Sequence, residues 1–369
     1  MMQPSVIDLF CGAGGLSLGF RLAGCVVTHA VEMDRWAATT YRTNSRQTIL
    51  IEGDVRSVDP RQLNCGTAKH SPLFAIIGGP PCQGFSETNR RTRSVDNKQN
   101  YLYREFFRFV RTLRPAWFVL ENVAGLRTLA AGTFLKSIMR SAKRAGYTAS
   151  AIELNAADYG VPQFRRRLFI IGNRFNYPIS LPSSTCGLLG RNPYVTVREA
   201  ISDLPVLANG ASTNVRSYRT AASASYQRRM RTAPACKQVS GNLVTRSNAT
   251  VIERYRMVRQ GDNWASIPSI LFSDYKSLGL CHTGLYHRLD WDAPASVIGN
   301  FRKNMIIHPT QQRGLSIREA ARLQSFPDHY VFCGSIGFQQ QQVADAVPPS
   351  LSRAIAETII LASACARAA

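Results

Sequence analysis

The 369-residue chain has no two cysteines in C-x-x-C spacing; its nine cysteines, at 11, 25, 65, 82, 186, 236, 281, 333 and 365, are scattered and odd in number. That pattern gives neither a disulfide frame nor a zinc site, so no metal ligands are expected. No run of about 18 apolar residues occurs, and the first ten positions lack a basic stretch followed by an apolar one, so neither a membrane span nor a secretory leader is expected. A reducing cytoplasm fits best. Acid is also scarce: 23 Asp and Glu face 45 Lys and Arg, a formal charge of +22. Solubility does not require such an excess, and a polyanionic partner, nucleic acid first, is its usual reason; a basic surface with no particular partner is the alternative. The excess is concentrated. Between 206 and 260 lie ten basic residues (Arg216, Arg219, Arg228, Arg229, Arg231, Lys237, Arg246, Arg254, Arg256, Arg259) and one acid, Glu253, with Tyr218, Tyr226 and Tyr255 among them. This is a candidate phosphate-contacting surface.

What the chain does have is enough apolar content, 45%, for one sizeable core and a smaller second one. Up to residue 172, short apolar runs at 5–10, 26–31, 48–51, 73–77, 116–120 and 167–171 alternate with helical patterns at 16–23, 35–44, 101–112 and 133–145. The rhythm predicts an α/β fold with a doubly wound, mostly parallel sheet and ligands at the carboxyl ends of its strands. From 173 to 312, Pro, Ser, Asn and Arg are frequent and only 251–258 reads as helix, which suggests a second, smaller, irregular domain. Order returns in a helix at 315–326, whose Ser316 and Glu319 have capping-box spacing, and in a closing helix at 351–364. The expected division is therefore 1–172, 173–312, and a segment 313–369 that returns to the first domain.

Chemistry gathers at the strand ends. Asp8-Leu-Phe-Cys-Gly-Ala-Gly-Gly15 turns the first strand into the first helix, and its glycines let backbone approach a ligand. The spacing departs from G-x-G-x-x-G, which disfavours a nicotinamide or flavin dinucleotide. Glu32, ending the second strand, can accept from ribose hydroxyls, and Asp54, after the third, from an adenine amino group. These turns fit an adenosine ligand; three ordinary strand ends are the plainer alternative. After the fourth strand, Gly78-Gly-Pro-Pro-Cys-Gln-Gly-Phe-Ser86 places Cys82 on a proline-stiffened turn, where a lone cysteine is either an inert buried residue or a nucleophile. Glu121-Asn122-Val123 ends the fifth strand. In Gln163-Phe-Arg-Arg-Arg167, alternation lets Gln163, Arg165 and Arg167 face one side.

Asp8 to Phe20, Gly79-Pro-Pro-Cys82, Glu121-Asn-Val123, Gln163-x-Arg-x-Arg167 and Arg318-Glu-Ala-Ala-Arg-Leu-Gln-Ser-Phe-Pro-Asp328 resemble, in order and spacing over nearly the whole chain, the motifs of the DNA cytosine-5 methyltransferase family, bacterial restriction-modification type. The resemblance implies Cys82 as nucleophile, Glu121 as the acid near cytosine N3, and Arg165 and Arg167 as supports of the base and active site. It implies S-adenosylmethionine as cofactor, lined by Phe10, Gly12, Ala13, Gly14, Gly15, Glu32, Met33, Asp54, Val55, Gly79, Pro81, Leu102, Asp345 and Ala346. Expected DNA contacts are Gln83, Ser86, Arg90, Arg91, Gln163, Arg228, Arg229 and Arg231, with 83–100 as a closing loop. Those residue types suit the reaction. Cytosine C5 is too electron-poor to attack a methyl group until a thiolate adds at C6, and an acid at N3 with a guanidinium near O2 stabilises the charge that results. The base must first leave the stack.

In that family the segment between the Gln-x-Arg-x-Arg strand and the Arg-Glu-Ala-Ala-Arg helix carries target recognition. At about 140 residues here, it implies sequence-specific binding of double-stranded DNA rather than a tRNA substrate. A monomer is expected, with a cognate restriction endonuclease acting separately as a possible partner. A catalytically impaired DNA-binding homologue and a nucleotide-dependent oxidoreductase with a reactive cysteine are the other classes considered. The sequence departs from the family pattern at 341–349, where Ala344 and Asp345 stand in place of Gly and Asn. If this turn needs positive φ and meets the methionine end of the cofactor, it is displaced and binding weakened.

Overall fold

A computed structural model describes residues 3–63, 73–81, 101–128, 132–231, 237–272, 284–303 and 305–368, with backbone alone for 366–368. Contacts divide the chain into two compact units.

The first unit comprises Met1–Asn155, Arg166–Ser183 and Pro349–Ala369. Its strands are β1 (Ser5–Leu9), β2 (Val26–Glu32), β3 (Ile49–Glu52), β4 (Ala75–Gly78), β5 (Trp117–Val123), β6 (Thr148–Asn155) and β7 (Arg166–Asn173), and its first helices are α1 (Gly15–Leu22), α2 (Arg35–Asn44), α3 (Tyr103–Leu113) and α4 (Thr133–Arg144). They form one seven-stranded sheet in the order β3-β2-β1-β4-β5-β7-β6. Strands β1 to β5 pair in parallel, and β7 runs antiparallel between β5 and β6. β1 and β4 are buried along their whole length, as covering on both faces requires. Alternation within the strands shows what covers them. Ile7 and Leu9 of β1 and Phe118 and Leu120 of β5 pack with Phe106 and Phe107 of α3 and Phe134 and Ile138 of α4. Residues one step along point the other way. There Trp117 Nε1 donates to Ser363 Oγ of the closing helix Pro349–Ala368 at 2.6 Å, and Ser352 Oγ of that helix donates to the Leu16 carbonyl at 2.7 Å. A Cβ on Gly19 of α1 would overlap Ser352, so only glycine admits this approach. The sheet is doubly wound, as its rhythm predicts. β6 was not expected: Thr-Ala-Ser-Ala-Ile-Glu-Leu-Asn has little strand propensity, and its strand state comes from pairing with β7 along its full length.

The second unit comprises Ala156–Arg165 and Ser184–Pro348. It holds α5 (Val197–Ile201), α6 (Ser225–Met230), α7 (Ala249–Met257), α8 (Ile317–Leu323), α9 (Ile336–Asp345) and the two-residue strands β8 (Arg216–Ser217) and β9 (Gln238–Val239). α5 and α6 are too short, at five and six residues, to show a period in sequence. The units do not follow the expected boundaries: 313–348 groups with the middle segment, and the chain rejoins the first unit only at Pro349. Backbone bonds from Ile317 N to the Leu243 carbonyl and from Arg318 N to the Gly241 carbonyl join the two segments, and buried charge adds to them. Arg322 of α8, fully buried, donates to Asp203 Oδ1 and to both carboxylate oxygens of Asp328, each at 2.7 Å, and to the Ala200 carbonyl at 2.8 Å. Arg313 grips Glu319 through two bonds of 2.7 and 2.8 Å. Such a buried cluster tolerates no missing partner. The Ser316–Glu319 capping box forms as its spacing predicts. Among the described residues no helix is long and apolar enough to cross a membrane.

Candidate active site and cofactor turn

The turn after β1 is built from strained and open backbone. Phe10 sits at φ 61°, Gly12 at 54° and Gly14, which caps α1, at 89°; a non-glycine residue at positive φ persists only where its surroundings impose it. Glu32 Oε2 accepts from Gly12 N at 2.7 Å, and its Oε1 accepts from Met33 N at 2.9 Å and Asp34 N at 2.7 Å. The carboxylate thus ties the β1 turn to the end of β2, and burial pushes its pKa upward. Among the described residues nothing lies within 4 Å of a Cβ built on Gly12 or Gly53, so the backbone after β1 and β3 is open on that side. β1 pairs with β2 on one side and β4 on the other, the place where an open parallel sheet forms a crevice.

Of the other expected cofactor residues, Ala13 and Gly15 are buried, Met33 is exposed, Leu102 caps α3, and Pro81 is half-buried at the end of a described stretch. Val55 lies in the main core cluster. Asp54 is bonded to the Arg56 backbone and guanidinium, and that bonding lowers its pKa. One buried chain was not legible in sequence: Ser17 Oγ donates to Asp8 Oδ2 at 2.6 Å and lies 2.8 Å from the Tyr41 hydroxyl. Asp8 is fully buried, its Oδ1 has no partner among the described residues, and burial carries its pKa up to about 7. The adjacent Cys11 is a buried thiol pushed strongly upward by burial, which makes it inert rather than nucleophilic.

At the far end of β5, Glu121 and Arg167 meet. In the antiparallel β5–β7 register Glu121 faces Phe169 and Val123 faces Arg167, so the two charged residues are diagonal neighbours on one face. Arg167 Nε lies 3.1 Å from Glu121 Oε1, with side chains 15% and 12% exposed. The other carboxylate oxygen, Oε2, lies 2.9 Å from where a Cβ on Gly79 would stand, so glycine there leaves room for the acid beside the Gly-Pro-Pro turn. Cys82, Gln83, Ser86, Arg90 and Arg91, with the loop 83–100, lie outside the described residues.

Several expected site residues have other partners. Gln163, fully buried, donates to the Leu323 carbonyl at 3.0 Å and accepts from Ile298 N at 2.9 Å; this corrects its expected contact with DNA, because its amide ties the end of α8 to the backbone at Ile298. Arg165, 1% exposed, donates to the carbonyls of Ile298, Ala344 and Ala346. Arg231 is corrected likewise: its guanidinium pairs with buried Asp203, donates to the Thr220 carbonyl at 2.7 Å and stacks 3.5 Å from the Tyr218 ring centre. Arg254 is buried and spent on the Leu271 carbonyl and the Tyr286 hydroxyl. Arg228 and Arg229 are exposed, the first donating to the Ser223 carbonyl and the second lying over Tyr226. The displaced turn expected at 341–349 is also corrected. Ala344 and Asp345 lie inside α9, neither has positive φ, and Asp345 Oδ2 accepts from Gln341 one helical turn back at 2.7 Å.

A seven-stranded sheet with β7 reversed, a glycine turn after β1 and acids ending β2 and β5 define the Rossmann-like methyltransferase class. Residues 4–361 match the C-5 cytosine-specific DNA methylase family, and the chain belongs to it. It is 34% identical to the Type II methyltransferase M.DdeI of Desulfomicrobium norvegicum, over 96% of this chain and 88% of that one. It is 35% identical to the Type II methyltransferase M1.HphI of Haemophilus parahaemolyticus, over 97% and 87%. Among solved structures it is similar to a DNA modification methyltransferase encoded within a prophage (E. coli), with TM-score 0.78, 26% identity and coverage of 97% of this chain and 99% of that one. The chain is thus a DNA cytosine-5 methyltransferase by family, and family and fold imply S-adenosylmethionine as methyl donor.

Proposed function

We propose that the protein methylates cytosine at C5 within a defined sequence of double-stranded DNA, using Cys82, Glu121 and Arg167 on a base turned out of the duplex. The observation that carries this reading is the Arg167–Glu121 pair, with the Glu121 carboxylate against Gly79, three residues before Cys82. Cys82 as thiolate adds to C6, and the electron pair released from the C5–C6 double bond makes C5 nucleophilic. Glu121, holding a proton at N3, and Arg167, offering positive charge beside it, stabilise the charge that develops on the ring. Loss of the C5 proton after methylation lets the C6–S bond break and frees Cys82. Arg165, bonded to three backbone carbonyls, acts in this reading as a positioning residue.

The residues at the ends of β1, β2 and β3 fit S-adenosylmethionine: open backbone at Gly12 and Gly53, a positive-φ turn opening α1, and a carboxylate at Glu32 that three backbone amides already orient. When bound, it supplies a methyl group made electrophilic by its sulfonium. Phe10, Ala13, Gly14, Gly15, Met33 and Leu102 would complete its surroundings. The second unit would read the target, the compartment is cytoplasmic, and a cognate endonuclease would cut the unmodified sequence. Conversion-based sequencing of plasmid DNA from cells expressing the protein tests the reading: 5-methylcytosine at one fixed sequence is expected, and unmodified DNA would overturn it.

A further inference from the structure

The second unit contains a cavity of about 280 Å³ lined by Arg246, Arg302, Thr245, Gln340, Phe301 and Leu315 among others, with no acid among the described residues of its wall. Arg246 and Arg302 are exposed, and neither guanidinium makes a hydrogen bond or ion pair with the described residues. Two guanidiniums that line one cavity, with no carboxylate partner among the described residues, favour an anion. Deeper in, Gln340 is 2% exposed; its Nε2 donates to Thr245 Oγ1 at 3.0 Å, and its Oε1 has no partner among the described residues. A buried amide oxygen left without a donor is costly and calls for an N–H. Phe301 and Leu315, buried at 2% and 1%, supply apolar wall.

We propose that this cavity holds one nucleotide of the DNA substrate, its phosphate between Arg246 and Arg302 and an N–H of its base on Gln340 Oε1. An inorganic anion would satisfy the arginines and leave Gln340 unpaired; a nucleotide satisfies both. Phosphate contacts position the DNA while the base contact discriminates, so the two kinds of residue have separable effects. The inference rests on the protein being a DNA methyltransferase.

The test is fluorescence-anisotropy binding to two duplexes, one carrying the methylated sequence found by sequencing and one lacking it, across a salt series. The variant Arg246→Ala/Arg302→Ala should weaken both complexes and reduce the slope of log affinity against log salt by about one, the value for a single phosphate. Gln340→Leu should leave that slope unchanged and cut the preference for the methylated sequence on the order of tenfold. Circular dichroism and the urea midpoint of Gln340→Leu itself, matching those of the unaltered protein, show that its loss of preference is not misfolding. An unchanged slope in the arginine variant, or unchanged preference in Gln340→Leu, overturns the proposal while leaving wild-type methylation intact. Failure of the wild type to methylate DNA instead removes the reading on which it rests.

Discussion

Asp8→Asn replaces a buried acid by a neutral group of the same shape at the start of the cofactor turn. In the folded protein Asp8 keeps its proton up to about pH 7, because burial outweighs the bond from Ser17; the ordinary value is 3.8. Between those values the folded state binds a proton that the unfolded chain has released, so this group's contribution to stability falls as pH rises from about 4 to 7 and is constant above. At roughly 1.4 kcal/mol per pH unit, the loss amounts to about 4 kcal/mol. Other groups act in the opposite sense at lower pH. Glu319, held down to about 2 by Arg313 despite its burial, contributes stability that is lost as pH falls from about 4.5 towards 2. The Asn variant lacks only the Asp8 term, so the difference between variant and wild type isolates it. Urea unfolding of both proteins at half-unit steps from pH 4.5 to 7.5 should show the variant gaining steadily on the wild type. A difference constant within about 1 kcal/mol across that range would refute the reasoning, since it would mean Asp8 ionises freely in the fold.

Arg322→Met should destabilise the protein by about 3–5 kcal/mol in the same unfolding assay, because Asp203 and Asp328 are left buried without their shared cation; a loss below about 1 kcal/mol would contradict it. Ala344→Gly should cost stability, up to about 1 kcal/mol, because the residue is helical, and should not tighten S-adenosylmethionine binding in a calorimetric titration. Glu32→Ala should free the Gly12, Met33 and Asp34 amides and weaken that same titration; unchanged affinity would exclude Glu32 from the cofactor site.

What could be read from the sequence was local. The strand-turn-helix at Asp8 to Phe20 follows from an apolar run, glycines able to adopt positive φ, and a helical period within twenty residues. The Ser316–Glu319 box needs only its own four residues. Glu121 and Arg167 were legible separately as strand-end residues, but their diagonal contact depends on the β5–β7 register, which no local pattern states. Buried polar residues misled most. Arg231 reads as surface because it is charged, yet Asp203, 28 positions away, takes its charge. Gln163 reads as a site residue because it alternates with Arg165 and Arg167, yet its amide is spent on a carbonyl 160 positions away. A charge or amide has no sequence signature for the partner that removes it from the surface. The same holds for Ser17 and Tyr41 around Asp8.

The central claim is covalent catalysis through Cys82, and a mechanism-based trap tests it. Duplex DNA carrying 5-fluorocytosine at the methylated position, incubated with S-adenosylmethionine, offers a C5 substituent that cannot leave as a proton, so the adduct should persist. The account predicts a protein–DNA species stable to denaturing electrophoresis for the wild type, with the modified peptide containing Cys82, and none for Cys82→Ala although that variant still binds DNA. Absence of the adduct from a wild-type protein that methylates ordinary DNA, or its formation by Cys82→Ala, would contradict it.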